Sequence, residues 1–313
     1  VKVLVTGGTG MVGSAIQNSE NSHEIIKLKS SDCDLRDRES CFDLFHDMRR
    51  SGVDAVIHLA ARVGGVKGNS DMLSEFFSDN IRINTNVLDA CVHQKIPKVV
   101  SLLSTCVYPD NAKLPLTVDQ IHNGFPHVSN FGYAFAKRML DVQSRTIRSQ
   151  HGLKYVTAIP NNMYGPNDNF DIVNGHVIPS MIRKIWEAKV SNSSARLWGD
   201  GTPLREFTFS RDIAEILVFL LDHYDGIDPI NIGKTGEVSI MDLAALICKK
   251  IGYDPSRIVW DTDANLGQFR KPSDNSRLFE IGWNGSFTSL ENGLSETIDW
   301  FIENYPNVRG IIA

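Results

Sequence analysis

The nine residues VTGGTGMVG, Val5–Gly13, carry the decision about the fold. They follow the apolar run VKVLV, which reads as a strand, and they lead into MVGSAIQ, which reads as a helix. Gly7, Gly10 and Gly13 stand three apart at the junction. Glycine there permits a tight turn, lets the backbone approach a pyrophosphate, and lets the helix lie close on the strand. The helix start then offers unpaired N–H groups and a positive dipole end to phosphate. Strand, glycine turn and helix in that order predict a dinucleotide site at the head of a parallel sheet.

Working outward, the pattern repeats. HEIIKLK is a second strand and CFDLFHDMRRSG a helix; DAVIHLAA is a third strand, followed by a long helix over FFSDNIRINTNVLDACVHQK. KVVSLLS is a fourth strand, YAFAKRMLDVQSRTIRSQHG a helix closed by Gly152, and KYVTAIP a fifth strand. Alternating strands and helices give βαβ units, hence an α/β, Rossmann-type doubly wound parallel sheet. After about residue 165 the rhythm breaks into an Asn/Pro/Gly-rich loop, a helix over 176–190 and RLWGDG, read as a turn. Helices over DIAEILVFLLDHY and SIMDLAALICKKIG then bracket PINIG, a strand returning to the sheet. The expected division is a nucleotide-binding domain over 1–165 with a returning segment near 206–233. A smaller α/β substrate domain is expected over 166–205 and 234–313.

Composition excludes several classes. The chain has 313 residues, 42% hydrophobic and 22% charged, as a globular protein should. Its net charge of −5 and the lack of basic clusters argue against nucleic acid and anionic membranes as partners. Five scattered cysteines form neither a disulfide framework nor a zinc motif, so no metal is expected and a reducing compartment suits them. No apolar run is long enough to span a bilayer. The chain enters its strand pattern with no leader ahead of it, and the expectation is a cytoplasmic protein.

Cofactor choice is read where the second strand ends. An acidic residue there binds the 2′-hydroxyl of NAD, whereas a basic one suits the 2′-phosphate of NADP. Lys29 and Ser30 occupy that place, with Asp32 beyond it, so the expected cofactor is NADP. Asp34 and Leu35 are candidate adenine contacts, and Ala60 and Ala61 would line the cofactor path. For chemistry, Ser104 ends the fourth strand, and Tyr133 and Lys137 stand four apart on one helix face. A phenol with a pKa near 10 needs help to exchange protons at neutral pH, and a nearby ammonium lowers that pKa. Cys106, two residues past Ser104, is either a small core residue or a proton carrier.

The glycine turn, HLAA, Ser104 and YAFAK together resemble the extended short-chain dehydrogenase/reductase family of nucleotide-sugar enzymes. STCVYP, NNMYGPNDNF, GHVIP and GTPLREF resemble the branch that epimerises and reduces a GDP-4-keto-6-deoxymannose, over nearly the whole chain. The resemblance implies a Rossmann domain with a small substrate domain, NADPH as reductant, a GDP-sugar substrate and a homodimer. Helices near 76–95 and 133–151 are candidates for its interface. It also implies a reductase triad of Ser104, Tyr133 and Lys137, with Cys106 and His176 as epimerase acid and base. Further cofactor contacts are implied at Met11, Val12, Pro160, Asn162, Met163 and His176, and GDP-sugar contacts at Lys184, Trp198, Arg205 and Lys271. One departure is Thr9, where some members carry Arg; it leaves the 2′-phosphate to Lys29 and Ser30.

The chemistry suits these residues. A 4-ketone acidifies the hydrogens on C3 and C5, and inverting either carbon moves a proton off one face and onto the other. A thiol near 8.5 and an imidazole near 6.5 both exchange protons at neutral pH. A 4,6-dehydratase would need an Asp–Glu pair where this chain has Thr105 and Cys106. A 4-epimerase would leave Cys106 and His176 without work, and a cofactor sensor would not need the Tyr/Lys pair. Lys29 and Ser30 predict tighter binding of NADPH than of NADH by fluorescence quenching; equal dissociation constants would overturn that reading.

Overall fold

The computed structural model describes residues 1–16, 23–65, 71–262 and 268–311. Six parallel strands form the main sheet: β1 (Lys2–Thr6), β2 (Glu24–Lys27), β3 (Val53–His58), β4 (Lys98–Leu102), β5 (Lys154–Pro160) and β9 (Ile230–Ile232). Their order is β2-β1-β3-β4-β5-β9. Chain direction across the sheet reverses between β1 and β3. In such sheets the crevice at the strand C-termini beside that reversal is where ligands bind.

Strand pleating sends neighbouring residues to opposite faces. On β1, Val3 and Val5 enter a core shared with Ile213, Leu217 and Leu220, whereas Leu4 enters one shared with Phe45, Leu88 and Leu140. Helices α1 (Met11–Ala15) and α6 (Ser210–His223) cover the first face; α2 (Arg38–Arg50), α3 (Leu73–His93) and α4 (Phe131–His151) cover the second. Helix α1 stops at Ala15, because Ile16, expected to be helical, is extended at φ −70° and ψ 121°; Gln17 lies outside the described residues. Helix α2 starts where Asp37 accepts the Ser40 N–H, and α4 stops at Gly152, left-handed at φ +70°.

The remaining elements build a second lobe. β6 (Asn162–Tyr164), β8 (Leu204–Phe209) and β10 (Glu237–Ser239) form a three-stranded sheet with β8 in the centre. β7 (Ala195–Trp198) pairs in parallel with β11 (Ile258–Asp261). RLWGDG was expected as a turn, but its first residues are strand. Ala195 and Leu197 point inward while Arg196 and Trp198 point out, and only a paired strand holds that alternation. Helices α5 (Val177–Val190), α7 (Ile240–Ile251) and α9 (Leu290–Asn304) enclose a third core of Ile182, Leu197, Phe209, Leu243 and Phe301. The short helix α8 (Ser276–Glu280) sends Leu278 back to the first core.

Two close approaches fix the crevice. A Cβ on Gly7, at φ +67°, would stand 2.9 Å from the Ala60 nitrogen. One on Gly13 would stand 2.5 Å from the Gly7 carbonyl oxygen and 2.7 Å from Gly8 Cα. Both obstacles are backbone and cannot rotate away. Gly13→Ala is therefore expected to lose about 1–3 kcal/mol of stability by overpacking. Urea unfolding checks it, and a wild-type midpoint would show that helix and turn separate freely.

Candidate active site

A single cavity of about 1050 Å³ runs from the glycine turn to the second lobe. Gly7, Gly10, Met11, Val12 and Gly13 line its floor, with Ala60 and Ala61 opposite. Lys29, Ser30, Asp34 and Leu35 close one end; Ser104, Cys106, Tyr133, Lys137, Pro160, Asn162, Met163 and His176 stand at the middle. Lys184, Trp198, Arg205 and Lys271 face it from the second lobe. Every residue expected from the sequence thus reaches one space, though they come from elements more than 260 residues apart.

The floor is held from beneath by a buried relay. Thr6 Oγ1 accepts the N–H groups of Leu59 and Ala60, both at 3.2 Å. Its own hydrogen is then free for His58 Nδ1 at 2.8 Å, which leaves His58 Nε2–H to donate to Asn84 Oδ1 at 3.1 Å. Burial, followed by the charge of Lys137, pushes the imidazole down to about 3, so this histidine stays neutral. The glycine cradle, which Cβ atoms would fill, and the open α1 start fit a dinucleotide pyrophosphate.

At the adenosine end, Lys29 and Ser30 are exposed one residue beyond Leu28, and β2 itself stops at Lys27. Two cations there were missed by sequence reasoning. Arg36 binds Asp34 through Nε and Nη2, and Arg62 binds Asp79 at 2.7 Å. Each directly follows an expected cavity residue, Arg36 after Leu35 and Arg62 after Ala61, and that adjacency was the available signal.

At the centre, β4 ends at Leu102, so Ser104 sits in an extended link and not on the strand. Its Oγ accepts the Cys106 N–H at 3.3 Å and starts the 3₁₀ turn Thr105–Val107, which holds Cys106 half-buried beside it. Tyr133 and Lys137 project from the first turns of α4. Lys137 Nζ donates to the Leu102 carbonyl at 2.7 Å and lies 5.9 Å from the Tyr133 ring centre. Burial lowers that ammonium to about 8.

The expectation that the ammonium lowers the phenol's pKa is corrected here. Burial, and then the charge of Cys106, push the Tyr133 phenol above its ordinary value. Desolvation opposes the phenolate, and Lys137 is engaged by a carbonyl. The phenol therefore stays protonated, the state required of a proton donor.

In the second lobe, Lys184 Nζ stands 4.2 Å over the Trp198 ring. Arg205 donates to the carbonyls of Leu204 at 2.7 Å, Phe269 at 3.0 Å and Gln268 at 2.5 Å. The segment carrying Lys271 is thereby fastened to Arg205, another expected GDP-sugar contact. Asp168 and Arg309 also line the cavity and were missed. Asp168 lies inside NNMYGPNDNF, a stretch already singled out; Arg309 had no signal. Among the described residues no cluster of His, Cys, Asp and Glu could hold a metal ion.

Fold and cavity together define a Rossmann oxidoreductase with a second, substrate-facing lobe. The family model described as the NAD dependent epimerase/dehydratase family matches residues 3–233. A Dictyostelium discoideum protein named GDP-L-fucose synthase is 40% identical over 98% of this chain and 97% of its own length. A probable GDP-L-fucose synthase from Drosophila melanogaster is 37% identical over 98% of this chain and 99% of its own. The crystal structure of a GDP-L-fucose synthetase from Naegleria fowleri bound to NADP has a TM-score of 0.91 at 35% identity, covering 98% and 94% of the two chains. This chain belongs to the GDP-L-fucose synthase family of epimerase/reductases.

If the charged Lys137 supports proton donation, kcat/KM for carbonyl reduction should fall as pH rises through about 8, where the buried ammonium loses its proton. Lys137→Arg keeps the charge and should move that limb upward, beyond pH 9. An unmoved limb would assign it to another group.

Proposed function

We propose that the chain makes GDP-L-fucose from GDP-4-keto-6-deoxy-D-mannose, by epimerisation at C3 and C5 followed by reduction of the 4-ketone with NADPH. The observation that carries this reading is the meeting of two chemical sets in one cavity. Ser104, Tyr133 and Lys137 suit carbonyl reduction, and Cys106 and His176, which line the same cavity, suit proton exchange.

NADPH, when bound along the glycine turn, supplies the hydride for C4; the chain supplies everything else. Gly7, Gly10 and Gly13 leave room for its pyrophosphate, and Lys29 and Ser30 face its 2′-phosphate. Ser104 Oγ and the Tyr133 hydroxyl hold the sugar's O4, stabilising the enolate while C3 and C5 exchange hydrogen. Cys106 and His176 remove and return protons at those carbons. Tyr133, kept protonated by burial, then gives its proton to O4. Lys184, Trp198, Arg205 and Lys271 bind the GDP portion, with the Arg205 fork suited to the diphosphate. The lobe built on β6–β8–β10 is thus the substrate domain, and residues 1–161 with Ser210–Ile232 are the cofactor domain.

The protein works as a homodimer in the cytoplasm. Phe77, Phe125, Val128, Phe131 and Met139 are exposed apolar residues on α3, α4 and the loop before α4, with Phe131 stacked on Phe125 and tilted against Phe135. Such exposure on a small-molecule enzyme suits a second copy. The cysteines are all free and, among the described residues, no helix is long and apolar enough to cross a membrane.

Cys106→Ser tests the assignment. Serine preserves the volume but is too weak an acid at neutral pH to replace the thiol. The variant should still oxidise NADPH, yet yield a GDP-6-deoxyhexose with unchanged C3 and C5 configuration, identified by NMR. GDP-L-fucose formed at the wild-type rate would show that the thiol is only core.

A further inference from the structure

Among the described residues, Asp168 Oδ2 is the only buried carboxylate oxygen without a hydrogen-bond partner. Asp168 is 4% exposed, and its Oδ1 accepts the Asn169 N–H at 2.7 Å. An idle buried oxygen costs stability, and one that faces a binding cavity is open to a partner in another state. Its position in the loop 165–176 indicates that state. The Gly175 N–H donates to the Asp171 carbonyl at 2.9 Å, and a Cβ on Gly175 would stand 2.6 Å from the Asn169 carbonyl oxygen. The loop is therefore folded back, with the residue after Asp168 against the residue before His176. Both Asp168 and His176 face the cavity. The His176 side chain does not cap α5 and makes no ion pair within the described residues, so its ring is uncommitted. Burial holds the Asp168 carboxyl above its ordinary range, opposed by the nearby charges of His176 and Arg309. Arg309 is kept in place by the Phe170 N–H, which donates to its carbonyl at 2.9 Å.

Building on the epimerase role assigned to His176 above, we propose that Asp168 is its positioning residue. When the GDP-sugar fills the cavity, Asp168 Oδ2 accepts one imidazole N–H and fixes the ring's tautomer and the nitrogen it turns to the sugar. No proton leaves Asp168. The carboxylate also favours the imidazolium, because an opposite charge at contact stabilises the charged form. Motif reading misses the pair, since each residue sits in its own segment and only the loop's return brings them together.

Asp168→Asn keeps the volume and the contact to Asn169 but removes the charge. Epimerisation followed by NMR in D₂O is expected to slow by roughly tenfold or more, the loss of part of an acid–base contribution. KM and the NADPH dissociation constant should stay within a few-fold. The limb of the pH profile set by His176 should move to lower pH, and Cys106, Lys184 and Arg309 on the same wall are unchanged in this variant. In a His176→Gln background the same substitution should add little, because the two residues act together. An equal cost in that background, or an unmoved limb, would make Asp168 merely structural and overturn the proposal. A second measurement needs no variant and no turnover. In the wild-type complex with GDP-mannose and NADP⁺ at alkaline pH, the ¹⁵N-labelled His176 ring should hold a single N–H tautomer; a mixture of tautomers overturns the pairing. That readout survives even if the sugar chemistry assigned to the site is wrong.

Discussion

Everything in the site depends on how closely β1 and β3 can end. Gly7 leaves no room for a side chain against Ala60, and Thr6 Oγ1 clamps the two amides that follow β3. That contact opens the crevice at the reversal of the sheet and turns the start of α1 toward it. Behind it, the neutral His58 and Asn84 join β1 and β3 to α3 without placing a charge in the core. A wider junction would shift the cofactor floor relative to α4, and with it the distance from Tyr133 to anything bound there.

Burial sets the protonation states on which the chemistry relies. The Tyr133 phenol is too deeply enclosed to ionise readily, so it arrives as a donor. Lys137 is held by the Leu102 carbonyl and brought down to about 8, within reach of its neutral form. Ser104 and Cys106 are fixed by a tight turn soon after β4, which ties the Cys106 thiol to the rigid sheet. The second lobe contributes by a different route: Arg205 is fastened to the segment of Gln268 and Phe269, so its cavity-lining groups sit on loops and short strands.

Much of this was legible in the sequence because it is local. Periodicity marks β1, α2 and α4, and fixed spacing marks Gly7, Gly10 and Gly13, and Tyr133 with Lys137. What escaped is non-local. Ala195–Trp198 is a strand only because β11, some sixty residues later, pairs with it. Arg309 reaches the cavity through tertiary packing that no spacing encodes. The direction of the Tyr133 shift was misjudged for a related reason: spacing gives a neighbour's charge, while desolvation depends on the whole enclosure.

The central claim is that one cavity first exchanges hydrogen at C3 and C5 of a keto-sugar and only then reduces it. The direct test incubates the wild-type enzyme with GDP-4-keto-6-deoxymannose and NADP⁺ in D₂O, without reductant, and follows the sugar by NMR. The account predicts loss of the C3 and C5 proton signals while the 4-ketone persists. NADPH added afterwards should yield GDP-L-fucose deuterated at both carbons. Retention of both protons until NADPH is added, or an unlabelled product, would contradict it.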